Sequence, residues 1–368
     1  MKLECPKEKL YRAISIAEKV TGKNLSLPAL SHVLLKASGR YLSLTATNLD
    51  VGLRLEVPAK VETEGSVMVS GAILSNFLAN LGRDEKVSLT SVGENISLQG
   101  LHHSGLIKVY PQDDFPTLPK LEAITGKFTL AIPSFVAGLK MVAYAAALSD
   151  IKPEIASVYL YQREGELNLV ATDSFRLAEK HLPLEQPIEG ELKLMMPVKN
   201  VADILRVLEG QSEPVEISYN NHQMVFSGEG YYLTSRLVEG IYPDYRQIVP
   251  VETKTGAVVL KNDLQNALKL SHVFADRLNQ VSLRVAVKDA LFELNSHNTD
   301  LGESTTKLEA TLQGEDLEIS FNVRYLLDCL AVIPSDSVSL RFNGRGKPIL
   351  VSGIGDNTFT YLIMPLNR

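Results

Sequence analysis

The residues that could carry out catalysis do not form a recognised catalytic pattern. His102 and His103 are adjacent at a predicted hairpin turn, where successive side chains alternate sides and chelate a metal poorly. Asp173-Ser174 has no histidine nearby in a Gly-x-Ser-x-Gly turn, so a hydrolase triad is not indicated. Gly344-Arg-Gly-Lys347 lacks the spacing and the hydroxyl of a phosphate-binding loop. The sequence therefore predicts no active site, no metal and no cofactor.

Positive charge on the helices is the feature that points to a ligand. The predicted helical segments carry 13 Lys/Arg and 6 Asp/Glu, although the whole chain has a net charge of −6. They are taken as 7–23, 70–83, 134–148, 197–208, 261–277 and 322–332. A single basic helix is usually just a solvated face. Because the excess recurs in five of the six segments, it is typical of binding to a polyanion without base readout. Candidates for phosphate contacts, on or beside these helices, are Lys23, Arg83, Lys140, Lys152 and Lys199.

One pattern occurs three times along the chain at intervals of about 127 residues, and internal repetition of this kind decides the architecture. Three sets of anchor residues share the interval: Pro6, Pro133 and Lys261; Ser70, Pro197 and Asn322; Asn48, Asp173 and Asn298. The first two sets mark strand-to-helix transitions. The third set places His297–Asp300 at the position of Asp173-Ser174, which favours a shared turn over catalysis.

The segments between the helices predict antiparallel sheets. Tyr41–Ala46 and Val51–Val57 alternate apolar and polar residues with period two, and each repeat contains about two helices and eight such strands. Strands grouped between single helices favour an α+β fold with helices on one face of each sheet. Pro- and Gly-marked linkers divide the chain into domains at 1–126, 127–253 and 254–368.

The composition is that of an ordinary globular protein. Hydrophobic residues make up 45% and charged residues 22% of the 368 positions. We find no apolar signal-peptide core and no run of 18 apolar residues, so we expect a cytoplasmic protein without a membrane span. Cys5 and Cys329 each lie in an apolar periodic segment, which predicts two buried, reduced thiols.

Six blocks of the chain resemble the bacterial DNA polymerase III β subunit, the sliding clamp. They are Leu27–Leu30, Leu42–Asn48, Val170–Leu177, Tyr242–Tyr245, Phe321–Asp328 and Tyr361–Leu366. The resemblance spans the chain and implies three repeated DNA-clamp domains, which form half of a head-to-tail homodimeric ring. Helices would line the hole, double-stranded DNA would pass through it without sequence readout, and the ring would tether the polymerase. The protein would then be a processivity factor of DNA replication and not an enzyme.

The resemblance also implies a pocket between the second and third domains for Gln-x-x-Leu-x-Phe-like peptides. Its partners would be the polymerase III catalytic subunit and the clamp loader, with other polymerases and repair proteins. The second domain would supply Ile155, Thr172, Ser174, Phe175, Arg176 and Leu177, and the segment leaving it Pro243, Gln247 and Ile248. The third domain would add Asn322, Tyr325, Pro348, Leu362, Met364, Pro365 and Leu366. Some family members have Gly-His at Ser174-Phe175 and Arg at Gln247, which leaves the pocket's apolar character intact.

The dimer implied by the resemblance joins the third domain of one chain to the first domain of the other. It would pair the strand His103–Lys108, including Leu106, with the outer strand of the third domain. Val273 and Phe274 would add apolar contacts. Two alternatives remain open from the residues alone. A multidomain scaffold with basic helices would not need closure by a second chain, and a nuclease or polymerase would need clustered metal-binding carboxylates, which the sequence lacks.

Overall fold

The structure is a computed structural model that describes residues 1–22, 27–82, 85–184, 186–188, 190–209, 211, 213–250 and 252–366. The chain folds into two compact units. Unit 1 contains Met1–Pro133, Ile188–Gly190 and Lys199–Leu237, and unit 2 contains Ser134–Pro187, Glu191–Val198 and Val238–Arg368.

Two α-helices form in each repeat, as the sequence predicts. They are α1 (Lys7–Val20), α2 (Gly71–Ala79), α3 (Ile132–Ala143), α4 (Val198–Leu208), α5 (Lys261–Val273) and α6 (Val323–Val332). Helix α1 buries Leu10, Ile14 and Ala17 at helical spacing, so one apolar stripe faces the sheet. Helix α6 begins after Asn322, whose Oδ1 accepts the Arg324 N–H at 2.9 Å as an N-cap. Short 3-10 helices span Pro28–Ser31 and Tyr245–Ile248.

Antiparallel strands make up most of the rest. The first repeat contains β1 (Lys2–Pro6), β2 (Val33–Ser38), β3 (Tyr41–Thr47), β4 (Val51–Pro58), β5 (Lys60–Thr63), β6 (Gly65–Val69), β7 (Lys86–Val92), β8 (Asn95–Gln99) and β9 (Ser104–Tyr110). The second contains β10 (Gly126–Leu130), β11 (Ser157–Arg163), β12 (Glu166–Thr172), β13 (Arg176–Pro183), β14 (Lys193–Pro197), β15 (Val215–Tyr219), β16 (Gln223–Gly228) and β17 (Tyr231–Arg236). The third contains β18 (Thr255–Leu260), β19 (Gln280–Ala286), β20 (Leu291–Asn298), β21 (Gly302–Leu308), β22 (Ala310–Gly314), β23 (Leu317–Asn322), β24 (Ser337–Phe342), β25 (Ile349–Gly353) and β26 (Phe359–Ile363).

The sheets continue from one repeat into the next through a single kind of strand pair. In unit 1, β4 of the first repeat pairs antiparallel with β17 of the second, from Tyr231↔Leu55 to Ser235↔Val51. In unit 2, β13 of the second repeat pairs with β26 of the third, from Arg176↔Ile363 to Lys180↔Phe359. The strand orders are β10-β15-β16-β17-β4-β3-β2-β6-β9-β8-β7-β1-β5 in unit 1, and β14-β11-β12-β13-β26-β25-β24-β18-β22 and β21-β20-β19-β23 in unit 2. We call the β4–β17 and β13–β26 pairs the first and second strand junctions.

A turn closed by the same kind of side-chain hydrogen bond precedes the junction strand in each repeat. Asn48 Oδ1 accepts the Val51 N–H at 2.8 Å, Asp173 Oδ1 accepts the Arg176 N–H at 3.0 Å, and Asn298 Oδ1 accepts the Leu301 N–H at 3.2 Å. The side chain thus replaces a backbone turn partner. The predicted shared turn role of this position is confirmed.

Candidate functional site

The residues implied for the peptide pocket all belong to unit 2, and strand pairing accounts for their convergence. Leu177 lies opposite Leu362 in the second strand junction, and both are about 1% exposed. Just beyond β26, the Met364 N–H donates to the Phe175 carbonyl at 2.8 Å. Farther along, the Leu366 N–H donates to the Ser320 carbonyl at 2.8 Å. The C-terminal segment is therefore held by backbone hydrogen bonds to β23 and to the turn before β13.

Exposure divides these residues into a floor and a rim. The floor includes Leu177, Leu362 and the buried residues Ile155, Thr172, Pro348 and Pro365. Phe175 is 62% and Ile248 45% exposed, although both side chains are large and apolar. Met364 and Leu366 are half-buried, and Pro243 is exposed. Exposed apolar side chains around a buried apolar floor are what a peptide-binding surface requires.

Three of the polar residues implied for the pocket already have partners within the chain. Arg176 pairs with Asp173 at 2.9 Å and Asp328 at 2.6 Å, and its guanidinium lies 4.5 Å from the centre of the Tyr325 ring. Its side chain is only 11% exposed. Asn322 caps α6, and Gln247 Nε2 donates to Asp244 Oδ2 at 2.8 Å. Arg176 therefore joins the start of β13 to helix α6.

A cluster of tyrosines supports the segment that carries Gln247 and Ile248. Tyr242 stacks on Tyr159 with ring centres 4.6 Å apart. The Tyr161 and Tyr245 hydroxyls lie 2.8 Å apart, and both donate to the Glu179 carboxylate. Burial and the Glu179 charge raise the pKa of Tyr245 well above its ordinary value, so the phenol stays protonated and remains a donor. We call Tyr161, Glu179 and Tyr245 the hydroxyl cluster.

Sequence reasoning missed the hydroxyl cluster and Asp328. Tyr245 belongs to the Tyr242–Tyr245 block, but nothing in that block identifies its acceptor. Glu179 and Tyr161 lie 66 and 84 residues away in sequence, and only the strand pairing brings them together. Asp328 sits one helical turn after Tyr325, a spacing that could have indicated a shared face.

The candidate phosphate-binding lysines differ in their surroundings. Lys140 on α3 and Lys152 in the turn before β11 are exposed in unit 2. Lys199 on α4 is 56% exposed in unit 1 but pairs with Asp50 at 3.0 Å, which offsets part of its charge. Lys23 and Arg83 lie outside the described residues.

Family models of the DNA polymerase III beta subunit match almost the whole chain. The N-terminal, central and C-terminal domain models match residues 1–119, 130–244 and 246–367. The chain belongs to the DNA polymerase III beta subunit family. It is 28% identical to the beta sliding clamp of Synechococcus elongatus, covering 100% of this chain and 99% of that one, and 26% identical to that of Caulobacter vibrioides, covering 100% of both.

Solved structures of the family share the fold. The beta subunit of Thermotoga maritima superposes with a TM-score of 0.93 at 24% identity, over 100% of this chain and 99% of that one. The sliding clamp of Pseudomonas aeruginosa bound to griselimycin gives a TM-score of 0.94 at 25% identity, over 100% of both chains. The predicted α+β class with three repeated clamp domains is confirmed. Family membership also confirms the prediction of a replication accessory subunit instead of an enzyme.

The residues implied for the dimer lie at or beside β9 and at the C-terminal end of α5, and both β9 and β21 have open edges among the described residues. Strand β9 pairs with β8 from Ser104↔Gln99 to Lys108↔Asn95. Among the described residues, β9 pairs otherwise with β6 only at Val109 and Tyr110, and β21 pairs only with β20. Leu106 is 67% and Val273 62% exposed, and His103 and Lys108 are also exposed. The Phe274 ring packs close to Gly302 at the start of β21.

The described part of the chain contains no group of three or more His, Cys, Asp or Glu side chains arranged to hold a metal ion. None of its helices is long and apolar enough to cross a membrane. Cys5 and Cys329 are buried free thiols, as predicted.

Proposed function

We propose that the chain acts as a sliding clamp in the form of a head-to-tail homodimeric ring that encircles double-stranded DNA. The observation that carries this proposal is the repeated strand junction. Two junctions of the same build occur within the chain, and a third set of matching strands, β21 and β9, has open edges. Open edges are an aggregation liability unless another strand covers them. In a ring of two copies, each open edge would be covered by the matching edge of the other copy.

The two existing junctions define the register of the proposed intermolecular one. Leu177 is the partner of Thr172 on β12, and Glu303 is the partner of His297, the equivalent residue of β20. Strands β1 and β18 are equivalent in the two repeats. Following the paired residues from β1 through β7 and β8 to β9, and from β18 through β24 and β25 to β26, puts Leu106 at the position of Leu362. Since Leu177 faces Leu362, Glu303 would face Leu106 of a second copy. The paired segments would be Gly302–Thr306 and His103–Ile107.

Disulfide cross-linking tests this register. Leu106→Cys combined with Glu303→Cys should form a covalent dimer under oxidation, because directly opposed side chains on antiparallel strands have Cβ atoms about 4.5–5.5 Å apart. The matched control combines Leu106→Cys with Ser304→Cys, whose side chain points to the other face of the strand. Efficient cross-linking of the control, or of neither pair, would refute the register. Val273→Asp with Phe274→Asp should independently yield monomers, measured by sedimentation at low micromolar concentration.

The DNA contact would be electrostatic, sequence-independent and dependent on ring closure. Lys140, Lys152 and Lys199 are the exposed candidates, and Lys199 pairs with Asp50. Retention on nicked circular DNA, with release when the circle is linearised, is the expected signature. Changing Lys140 and Lys152 to Gln should reduce the slope of log affinity against log salt by about 0.9 for each phosphate that is no longer neutralised. Nanomolar binding to one linear sequence at physiological salt would contradict the proposal.

The second proposed activity is the capture of clamp-binding peptides at the unit 2 pocket. A peptide with Gln, a central Leu and a terminal Phe would bind near Leu177, Pro243, Ile248, Leu362 and Met364. Each apolar side chain buried contributes about 1.5–3 kcal/mol before ordering costs, so two anchors fit a roughly micromolar complex. The partners are DNA polymerase III, the clamp loader and other DNA-processing proteins, in the cytoplasm.

Truncation separates this pocket from the ring. Removing residues 364–368 deletes the Met364 and Leu366 contacts but leaves β9, β21 and the six helices unchanged. Peptide binding, measured by fluorescence anisotropy, should fall at least about tenfold, and retention on circular DNA should persist. Unchanged peptide affinity would place the partner site elsewhere.

A further inference from the structure

A cavity of about 400 Å³ lies at the first strand junction, within unit 1. We propose that it is a second ligand site, for a short peptide segment with an acidic side chain beside an apolar one. Its backbone frame is that of the proposed peptide pocket, but polar side chains replace most of the apolar ones at the equivalent positions. It rests on the proposed function only in that the cavity is compared with the proposed peptide pocket.

The turn at the cavity reproduces the turn at the pocket. Thr47 Oγ1 donates to the Val51 carbonyl at 2.7 Å, and Thr172 Oγ1 donates to the Arg176 carbonyl at 2.6 Å. Two residues after the threonine in each turn, Leu49 has a φ of 78° and Ser174 a φ of 79°. A residue other than glycine seldom adopts this left-handed conformation, so its presence at the same position of both turns identifies one shared frame.

Strand register identifies which side chains take equivalent positions. Gly52 faces Thr234 in the first junction as Leu177 faces Leu362 in the second. Two residues further along each chain segment, Arg236 takes the place of Met364. On the next strand, Val225 faces Thr234 and Leu350 faces Leu362, which puts Gln223 at the position of Pro348.

The substitutions change the chemistry of the lining, whereas the strand register stays the same. Five equivalent positions, which are Asp50, Gly52, Gln223, Thr234 and Arg236, line the cavity, where the pocket has Phe175, Leu177, Pro348, Leu362 and Met364. An apolar anchor large enough for the pocket therefore has less apolar surface to bury here. The two sites should select different peptides.

The floor of the cavity is apolar and is held in place by the linker between the first two repeats. Leu118 is 5% exposed and packs so closely on Gly52 that a Cβ there would lie 2.6 Å from Leu118 Cδ2. The carbonyl of Pro119 accepts from the Tyr232 hydroxyl at 3.0 Å and from Gln223 Nε2 at 3.4 Å. These contacts build one wall of the cavity before any ligand binds, which reduces the entropy cost of binding.

Charge at the rim indicates an acidic ligand. The Arg236 guanidinium is exposed at the cavity and makes no side-chain hydrogen bond or ion pair with any residue of the described part of the chain. The one carboxylate of the lining, Asp50, already pairs with Lys199 at 3.0 Å. A ligand carboxylate would therefore meet an unneutralised guanidinium, whose fork of donors matches carboxylate geometry. Leu118, Pro116 and Leu49 would contact the neighbouring apolar side chain.

The test uses fluorescein-labelled Gly-Ser-Leu-Glu-Ser-Gly with the full-length protein in low-salt buffer. Anisotropy should show saturable binding with a Kd of about 1 mM or tighter, as one apolar anchor and one charged contact allow. Arg236→Gln should weaken binding by about tenfold, and so should Gln in place of Glu in the peptide. Arg236→Gln protein and the Gln-containing peptide together should bind no more weakly than with either change alone, because both changes remove the same contact. Arg163→Gln, which changes an exposed arginine that does not line the cavity, is the matched control and should have no effect.

Removal of residues 364–368 distinguishes this site from the unit 2 pocket. Binding of the acidic peptide should survive the truncation, even if the proposed function at that pocket is wrong. Loss of binding in the truncated protein would mean that the peptide had bound at the unit 2 pocket, and the inference would fail. Absence of saturation, or additive effects of Arg236→Gln and the peptide change, would also overturn it.

Discussion

Replacing Tyr245 by Phe removes one oxygen atom from the centre of the hydroxyl cluster. The hydroxyl donates its one proton to the Glu179 carboxylate and lies 2.8 Å from the Tyr161 hydroxyl, and Tyr245 and Tyr161 are only 6% and 5% exposed. In the substituted protein the Glu179 carboxylate still accepts a hydrogen bond from the Tyr161 hydroxyl, which lies 3.0 Å away, so the charge is not left without a donor. A hydrogen bond to a charged group contributes about 1.5–3 kcal/mol and one between neutral groups about 0.5–1.5 kcal/mol. Tyr245→Phe removes one hydrogen bond to a charged group and should therefore reduce the free energy of unfolding of unit 2 by about 1.5–3 kcal/mol.

Urea unfolding followed by fluorescence measures this change in stability. The matched control is Tyr232→Phe, which removes a single neutral hydrogen bond to the Pro119 carbonyl in unit 1 and should cost about 1 kcal/mol or less. A double-mutant cycle with Glu179→Gln should give a coupling of at least about 1 kcal/mol, since the two side chains share one contact.

The same substitution should weaken peptide binding while leaving dimerisation unchanged. Tyr245 begins the 3-10 helix Tyr245–Ile248, so loosening it allows Gln247 and Ile248 to move. A destabilisation equal to that of Tyr232→Phe, together with zero coupling to Glu179, would refute the assignment of a supporting role to the cluster.

Two further predictions concern titratable groups. Although burial alone would raise the pKa of Asp356, hydrogen bonds from Thr358 and Lys180 lower it below the usual 3.8. This carboxylate therefore stabilises the fold above that pH, and the contribution disappears as pH falls through the lower folded pKa. Asp356→Asn should be less stable than the original protein at pH 7, with the difference vanishing in acid; a difference that persists at pH 2 in urea titrations would contradict this. Burial raises the pKa of Cys5 to about 12 and that of Cys329 well above its ordinary value, so Ellman's reagent should react with both only after denaturation.

The repeat and the alternation of apolar residues were enough to predict the class of fold and the number of helices. Both signals are local, since an anchor such as Pro6 or Asn322 ends a strand and begins a helix within a few residues. The turn role of the Asn48, Asp173 and Asn298 positions could be predicted for the same reason. What the residues did not reveal is how the strands of neighbouring repeats pair, because Leu177 and Leu362 are far apart in sequence.

The candidate site was harder to predict from the residues alone. Its membership came from family resemblance, and the polar residues carried over proved to have partners within the chain. In the sequence Arg176 looks like a free cation, but in the structure it forms ion pairs with Asp173 and Asp328. Partners like Asp328 leave no periodic signal, because an ion pair requires only proximity in the fold.

The turn before each junction strand requires little of the sequence. It depends on an Asn or Asp at one position, with a threonine before it in two of the three copies. Apart from that threonine, the side chains lining the adjacent space make none of the hydrogen bonds of the turn. Mutations there can alter what binds without disturbing how the strands pair. Such a division lets lineages drift far apart in sequence while keeping one scaffold, as the TM-score of 0.94 at 25% identity illustrates. Within this single chain, duplication followed by drift would account for two strand junctions with one backbone frame and different side chains around them.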